Sequence, residues 1–143
     1  MGKNKIPRHI YPQKQVGAMK ALYPQFRSVV RGDKVEFRGK IRVKPEFSEY
    51  SIRIVYEGGY KPKVYVEMPV LLPNTPHVYP GGYLCLYHPR YFRWTADKLI
   101  AKEIMQWTIA WLYFYECWKD TGVWYGPEVA HGEPKDDTKM LNE

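Results

Sequence analysis

The sequence predicts an α+β domain in which one antiparallel sheet is covered on one side by helices. Three observations lead to this prediction. A segment with helical spacing of apolar residues comes first, segments that alternate apolar and polar residues follow it between short turns, and a long apolar stripe with helical spacing comes last. Strands joined in sequence by short turns form a meander, and the helices before and after it bury its apolar face.

The first helix is expected over residues 12–23. Proline suits the first turn of a helix, so Pro12 can open this one, and Pro24 stops it. The apolar residues of the segment define one face of the helix: Val16, Met19, Leu22 and Tyr23.

Three strands are expected after this helix. Apolar residues alternate with polar ones in residues 33–43, 50–56 and 64–68, which is typical of strands with one buried face. Gly58-Gly59 supplies the turn before the last of these strands, and Gly39 is expected at a bulge or a turn. A proline-rich segment then ends the sheet region.

A long helix is expected from about residue 97 to residue 119. Thr95 or Asp97 is expected to cap its first turn, and Gly122 ends it. Polar residues interrupt its apolar stripe, so the helix is expected to pack in a core rather than to span a membrane. The stripe consists of Ile100, Ile104, Trp107, Trp111, Phe114 and Trp118.

Length and composition indicate one domain. The 143 residues suffice for a core, and we expect a single domain over residues 1–131 with a flexible charged tail over residues 132–143. Two cysteines make no disulfide framework, and without a recognisable signal peptide the reducing cytoplasm is the expected location. The net charge of +7 is scattered, which favours solubility or an acidic partner.

The segment from Thr75 to Leu86 carries the strongest functional signal. Cys85 follows the turn residues Pro80-Gly81-Gly82, so its thiol is expected at the surface on a loop or a short extended segment, with His77 near it. Such a thiol can receive an acyl group and pass it on. The alternative is a buried, inert cysteine. Cys117, in the middle of the long helix, is expected to be structural.

The order of these elements resembles the ubiquitin-conjugating (UBC, or E2-like) fold. That fold has an N-terminal helix, an antiparallel four-stranded meander, a proline-rich approach, a cysteine loop and a long C-terminal helix. The segment Gly82-Tyr83-Leu84-Cys85-Leu86 is similar to the cysteine segment of the family, and Trp94-Thr95 stands where the family has Trp followed by Ser or Thr. Thr75-Pro76-His77 falls at the His-Pro-Asn position, so His77 replaces the asparagine of the family.

A closer resemblance is to the bacterial E2-like proteins of short type II CBASS anti-phage operons. The shared segments are His77-Val78-Tyr79, residues 82–86, residues 111–116 and residues 122–131. The resemblance implies an acyl (thioester) transferase that carries the C-terminus of a cGAS/DncV-like nucleotidyltransferase on its cysteine and transfers it to an amine. No adenylating domain fits in this chain, so the source of the activated acyl group is left open.

The resemblance also implies roles for site residues. Cys85 is the expected nucleophile. His77 is expected either to polarise the thioester carbonyl and stabilise the oxyanion, or to act as a base toward the amine. A third interpretation is that His77 only holds the loop together. The supporting positions are Trp94, His88, Glu128 and His131.

Each supporting position has its own interpretation. Trp94 is expected to pack under the cysteine loop. His88 completes a lone Cys-x-x-His pair, which lacks a second pair of ligands, so no metal or other cofactor is expected. Glu128 and His131 are expected either to reach the site or to pair with each other or cap a turn. Two further residues, Tyr83 and Tyr87, are expected to wall a channel for an extended C-terminal peptide.

Two other functions compete with the transferase. The first is a non-catalytic E2-fold binding partner of the nucleotidyltransferase, against which the presence of Cys85 argues. The second is a basic, aromatic nucleic-acid-binding module. That module requires Arg38, Arg42, Arg53, Tyr56 and Tyr65 on one exposed sheet face. The expected partners are therefore the C-terminal peptide of the nucleotidyltransferase and a second copy in a homodimer, with no membrane and no nucleic acid.

Overall fold

A four-stranded antiparallel sheet with strand order β1-β2-β3-β4 forms the centre of the computed structural model. The structure describes residues 12–58 and 60–127. The strands are β1 (Arg27–Arg31), β2 (Lys34–Ile41), β3 (Tyr50–Glu57) and β4 (Lys63–Met68). The helices are α1 (Pro12–Leu22), before the sheet, and α2 (Met105–Thr121), which directly follows a π-helical turn at Ile100–Ile104. The predicted α+β class, the four-stranded antiparallel sheet and the C-terminal helix are confirmed.

The alternating residues of β2 and β3 form the core face of the sheet. Val35 lies opposite Tyr56, and Phe37 lies opposite Ile54, and all four side chains are fully buried. Cross-strand neighbours on one face contact each other directly, so these pairs hold the two strands in register. The turn around Gly58 and the strands from residues 34, 50 and 63 lie close to their predicted positions.

The first strand was not found from the residue pattern, and only the resemblance to the ubiquitin-conjugating fold gave four strands. All five residues of β1 are exposed, so it lacks the alternation of burial by which a strand is recognised. It pairs with β2 from Arg27 opposite Arg38 to Arg31 opposite Lys34. Arginines at both ends of this edge strand oppose pairing with another chain.

The prediction of a bulge at Gly39 is wrong. Gly39 pairs in regular register with Ile52, and the irregularity lies instead between Ser51 and Ile52. A Cβ atom at residue 39 would lie 2.5 Å from the ring of Phe26, so the position requires glycine because an aromatic ring covers it. The run Val70-Leu71-Leu72 forms no strand, and Val70 is 78% exposed.

Helix α1 buries most of the predicted face, because Val16 and Tyr23 pack against the core beside Met19. Met19 is buried as expected, but Leu22 is 53% exposed, and the fully buried Gln15 takes part in the core instead. The amide oxygen of Gln15 accepts a hydrogen bond from the backbone N–H of Ile100 at 2.9 Å. The amide nitrogen of Gln15 donates to the carbonyl oxygen of Lys98 at 2.8 Å.

The hydrogen bond from Ile100 N to Gln15 replaces the expected cap of the long helix. The helix begins at residue 100 and not at residue 97. Leu99 occupies the N-cap position without a side-chain cap. Thr95 and Asp97 hydrogen-bond to each other and do not cap the helix. The end of α2 is as predicted, because Gly122 takes the left-handed conformation with φ 79° and donates its N–H to the carbonyl oxygen of Trp118.

The apolar stripe predicted for the long helix is divided between fully buried and partly buried positions. Ile100, Ile104 and Trp111 are buried, as are Met105, Leu112 and Tyr115. By contrast, Trp107, Phe114 and Trp118 are only partly buried. The face of α2 that carries Trp107 and Phe114 is therefore open to other contacts. In the described parts of the chain, none of the helices combines the length and the apolar character needed to cross a bilayer.

Candidate active site around Cys85

Cys85 lies at the end of a short hairpin formed by residues 77–85, here called the cysteine hairpin. Its turn is closed by a hydrogen bond of 2.8 Å from Gly82 N to Tyr79 O, and Gly82 has φ 91°, which favours glycine. Val78 and Leu84 form a bridge across the hairpin. Cys85 N then donates to His77 O at 2.9 Å, which places these two residues opposite each other.

Two further contacts fix the hairpin to the rest of the fold. Leu84 N donates to Val64 O of β4 at 2.8 Å. The indole N–H of Trp111 in α2 donates to His77 O at 3.1 Å. The hairpin is thus held between the last strand and the long helix.

The expectation of a surface thiol is wrong. Cys85 is 4% exposed, because pairing with His77 and packing toward α2 draw it into the molecule. The thiol instead lines a cleft of about 380 Å³, together with the side chain of His77. A volume of this size is at the small end of the range for ligand pockets.

Tyr79 contacts the thiol, and sequence reasoning missed this residue. Its hydroxyl oxygen lies 3.3 Å from Cys85 Sγ, within hydrogen-bonding distance for sulfur. Burial, and then the contact with Cys85, raise the pKa of Tyr79 above its ordinary value. The hydroxyl therefore keeps its proton near neutral pH, so it accepts from a thiol and donates to a thiolate. The register of the hairpin was the missing signal, since residues 77, 79, 83 and 85 share one face.

His77 is held in an uncommon backbone conformation. Its φ is 60°, a region that costs a non-glycine residue about 1–2 kcal/mol. The two hydrogen bonds to its carbonyl oxygen stabilise this conformation. Its ring lies 4.8 Å from the ring of Trp124, between centroids, in the wall of the cleft. The structure brings His77 and Cys85 to one cleft, as expected, and the catalytic role of His77 stays a prediction.

The other predicted positions are distributed between the cleft and the core. His88 is buried and lines the cleft, and its Nδ1 accepts a hydrogen bond of 2.9 Å from the backbone N–H of Arg90. Tyr87 also lines the cleft. Trp94 does not, because its ring packs in the core at 5.5 Å from the ring of Tyr56. Glu128 and His131 lie outside the described residues.

Tyr83 is not part of the cleft wall either. Its ring packs at 4.8 Å on the ring of Tyr79 and at 6.2 Å on that of Tyr65, and the ammonium group of Lys63 lies 4.9 Å from its centroid. Tyr83 thus packs against Tyr79, and the structure gives it no hydrogen bond to the thiol among the described contacts. Of the two tyrosines predicted to wall a channel, the structure places only Tyr87 there.

Aromatic side chains form most of the remaining cleft wall. Helix α2 contributes Trp107, Trp111 and Phe114, and the segment after the helix contributes Trp124. Within residues 12–58 and 60–127, no three His, Cys, Asp or Glu side chains converge in a way that could hold a metal ion. The arrangement is suited to acyl chemistry on sulfur: a nucleophile, a hydroxyl that can donate to it, and an imidazole in the same cleft.

The five residues considered for a nucleic-acid-binding module do not share one exposed face of the sheet. Tyr56 is 1% exposed on the core face of the sheet, opposite to the face that carries Tyr65. Arg53 and Arg38 both contact the carboxylate of Glu67, at 2.8 Å and 3.8 Å. Arg42 donates to a backbone carbonyl, that of Phe47. This separation of the five residues argues against the nucleic-acid-binding alternative.

A comparison with models of known families matches most of the chain. The model of a family described as the type II CBASS E2 protein matches residues 15–132, which include the sheet, the cysteine hairpin and the long helix. Among curated proteins, none matches this chain.

Proposed function

The chain belongs to the type II CBASS E2 family, and from this premise we propose that it is a conjugating enzyme with an E2-like fold that acts in CBASS anti-phage defence. Cys85 carries the C-terminal acyl group of a cGAS/DncV-like nucleotidyltransferase as a thioester and passes it to an amine. The observation that supports this proposal most directly is the contact of 3.3 Å between the thiol of Cys85 and the hydroxyl of Tyr79, in the same cleft as His77.

The first step loads the thiol. The Cys85 thiolate attacks the carbonyl carbon of an activated donor, which is a thioester or an acyl adenylate. The new S–C bond forms, the bond to the donor's leaving group breaks, and the acyl group stays on sulfur. The Tyr79 hydroxyl, which keeps its proton, stabilises the thiolate before attack by a charge-assisted hydrogen bond.

The second step transfers the acyl group. An amine attacks the thioester carbonyl, and negative charge develops on the carbonyl oxygen. His77 donates a hydrogen bond to that oxygen, which is the role that the resemblance assigns to its position. The C–S bond then breaks, the amine loses its proton to solvent, and Tyr79 donates to the departing thiolate.

A non-catalytic binding partner of the same nucleotidyltransferase is the second candidate function. The 4% exposure of Cys85 favours it, because a thiol shielded from solvent reacts slowly. The open cleft beside Cys85 favours the transferase, since a donor peptide can enter there without displacing the core.

The test is intact mass spectrometry of the chain co-expressed with the nucleotidyltransferase encoded beside it. We expect a covalent adduct that thiol treatment removes and that Cys85→Ala lacks. Cys85→Ser makes the test more sensitive, because the oxygen ester formed on the serine resists thiols and accumulates. Cys117→Ser is the matched control, since that cysteine lies on α2 and does not line the cleft. Co-purification of an unmodified wild-type chain would instead support the binding partner.

A further inference from the structure

Part of the cleft beside Cys85 is built from rings that lie outside the core cluster. Trp107 and Phe114 project from α2 and are only partly buried. The ring of Trp107 packs at 5.9 Å on that of Tyr87, and the ring of Phe114 packs at 6.0 Å on that of Trp124. Two pairs of aromatic side chains thus line the cleft that contains the thiol.

The charge of the cleft wall also determines which groups can bind there. Among the described residues that line it, none is Asp, Glu, Lys or Arg, and the ionisable groups are the Cys85 thiol, two imidazoles and tyrosine hydroxyls. A carboxylate or ammonium group that entered would lose its hydration without gaining an ion pair, which is costly. The cleft therefore accepts apolar and aromatic groups and disfavours charged ones.

We infer that this cleft selects the acyl donor by a large apolar or aromatic side chain close to its reacting carboxyl end. This inference rests on the proposed function, because an acyl group bonded to Cys85 Sγ is what brings the occupant into the cleft. Consecutive Cα atoms lie about 3.8 Å apart, so the one or two residues before the carbonyl are the ones that reach the walls. A cleft of about 380 Å³ holds the end of a peptide, not a folded domain.

The experiment uses short synthetic peptides as neutral 2-mercaptoethanol thioesters, so no activating enzyme is needed. All end in glycine, and the residue before it is Phe, Ala, Asp or Lys. The Cys85 thiolate attacks the peptide carbonyl, the donor C–S bond breaks, and mercaptoethanol leaves. The loading rate of the full chain is measured by intact mass and divided by the rate with free glutathione, which corrects for the reactivity of each donor.

We expect the Phe donor to load about tenfold faster than the Asp and Lys donors at concentrations below saturation, with the difference in KM. Phe114→Ala and Trp107→Ala are expected to reduce this preference, with circular dichroism used to verify that the variants fold. Tyr125→Ala is the matched control, because this ring is 63% exposed and does not line the cleft. It should keep the wild-type preference.

The outcomes separate the inference from the proposed function. If Cys85 loads with all four donors at equal corrected rates, the inference fails and the carrier function stands. If no donor loads Cys85, both fail. If the preference is present but falls as the chain is concentrated, a second copy occupies the cleft and the inference is again overturned.

Discussion

At the scale of single residues, the hydroxyl of Tyr79 makes a direct contact with the thiol of Cys85. It lies 3.3 Å from Cys85 Sγ, and its raised pKa, caused first by burial, keeps it protonated across the neutral range. A hydrogen bond to a charged group is worth about 1.5–3 kcal/mol, so its loss slows reactions of the thiolate.

Tyr79→Phe is therefore expected to slow thioester loading of Cys85 by about tenfold or more. The hydrogen bond from the neutral Tyr79 hydroxyl favours the thiolate of Cys85 over the thiol. The ratio of wild-type to variant rates should therefore be largest near about pH 6 and fall toward about pH 9, where more of the thiol is ionised in both proteins. Loading of a small thioester followed by mass spectrometry measures this ratio. Tyr83→Phe is the control, and a ratio that rises from about pH 6 to about pH 9 would contradict the assignment.

The two catalytic roles proposed for His77, hydrogen-bond donor to the oxyanion and base toward the amine, can be separated by substitution. Asparagine tolerates the left-handed backbone at φ 60° and keeps a donor, whereas glycine tolerates the backbone and removes the side chain. We expect His77→Asn to retain transfer to an amine within about tenfold of wild type, and His77→Gly to lose about 100-fold. Single-turnover discharge of loaded enzyme measures both. Equal loss in the two variants would show that His77 acts as a base instead.

Sequence reasoning found part of the candidate site. Cys85 and His77 could be named because turn residues and a motif surround them, and the structure places both at one cleft. Tyr79 could not be identified, because its contact with the thiol depends on the register of the hairpin. Trp94 was expected to pack rather than to touch substrate, and it lies in the same core cluster as Leu84 of the cysteine hairpin.

At the scale of elements, the start of the long helix depends on a residue far away in sequence. Gln15 in α1 is fully buried and hydrogen-bonds to both Lys98 and Ile100. Gln15→Met keeps the approximate volume but leaves the buried N–H of Ile100 without this acceptor. We expect a loss of about 1–3 kcal/mol in the free energy of unfolding, measured by urea denaturation.

Gln13→Met is the matched control, because residue 13 is exposed on the same helix. Its free energy of unfolding should change by less than about 0.5 kcal/mol. An equal change in both variants would mean that helix propensity, and not the link to residue 100, explains the effect.

The elements that could be predicted are those whose pattern reflects burial. Strands β2 and β3 alternate strictly and were found, whereas the fully exposed β1 has no such pattern. The first residue of the long helix could not be located either. Local capping residues precede it in sequence, but the N–H of its first residue, Ile100, is satisfied by Gln15 of α1.

At the scale of the whole molecule, buried tyrosines connect the sheet and the proline-rich segment to α2. Tyr50 of β3 donates its hydroxyl to Glu116. Tyr115 accepts a hydrogen bond of 2.9 Å from Leu72 N. Burial, and then the contact with Glu116, raise the pKa of Tyr50 above its ordinary value.

This raised pKa predicts how stability changes in alkali. Below about pH 10 the Tyr50 hydroxyl is neutral in both states, so its stabilising effect is complete. Above that pH the unfolded chain ionises while the folded chain stays protonated, so stability falls as pH rises. We expect the difference in free energy of unfolding between wild type and Tyr50→Phe to shrink from pH 9 to pH 11 in urea titrations. A difference that stays constant or grows would contradict the assignment.

The aromatic wall of the cleft has an optical consequence. Of the five tryptophans in the chain, Trp107, Trp111 and Trp124 line the cavity beside the thiol. Indole emission responds to the polarity around the ring, and a peptide that displaces water from this cavity changes that polarity for three emitters at once. The protein thus contains its own fluorescent reporter, so entry of a peptide into the cleft beside Cys85 can be followed in real time without any label.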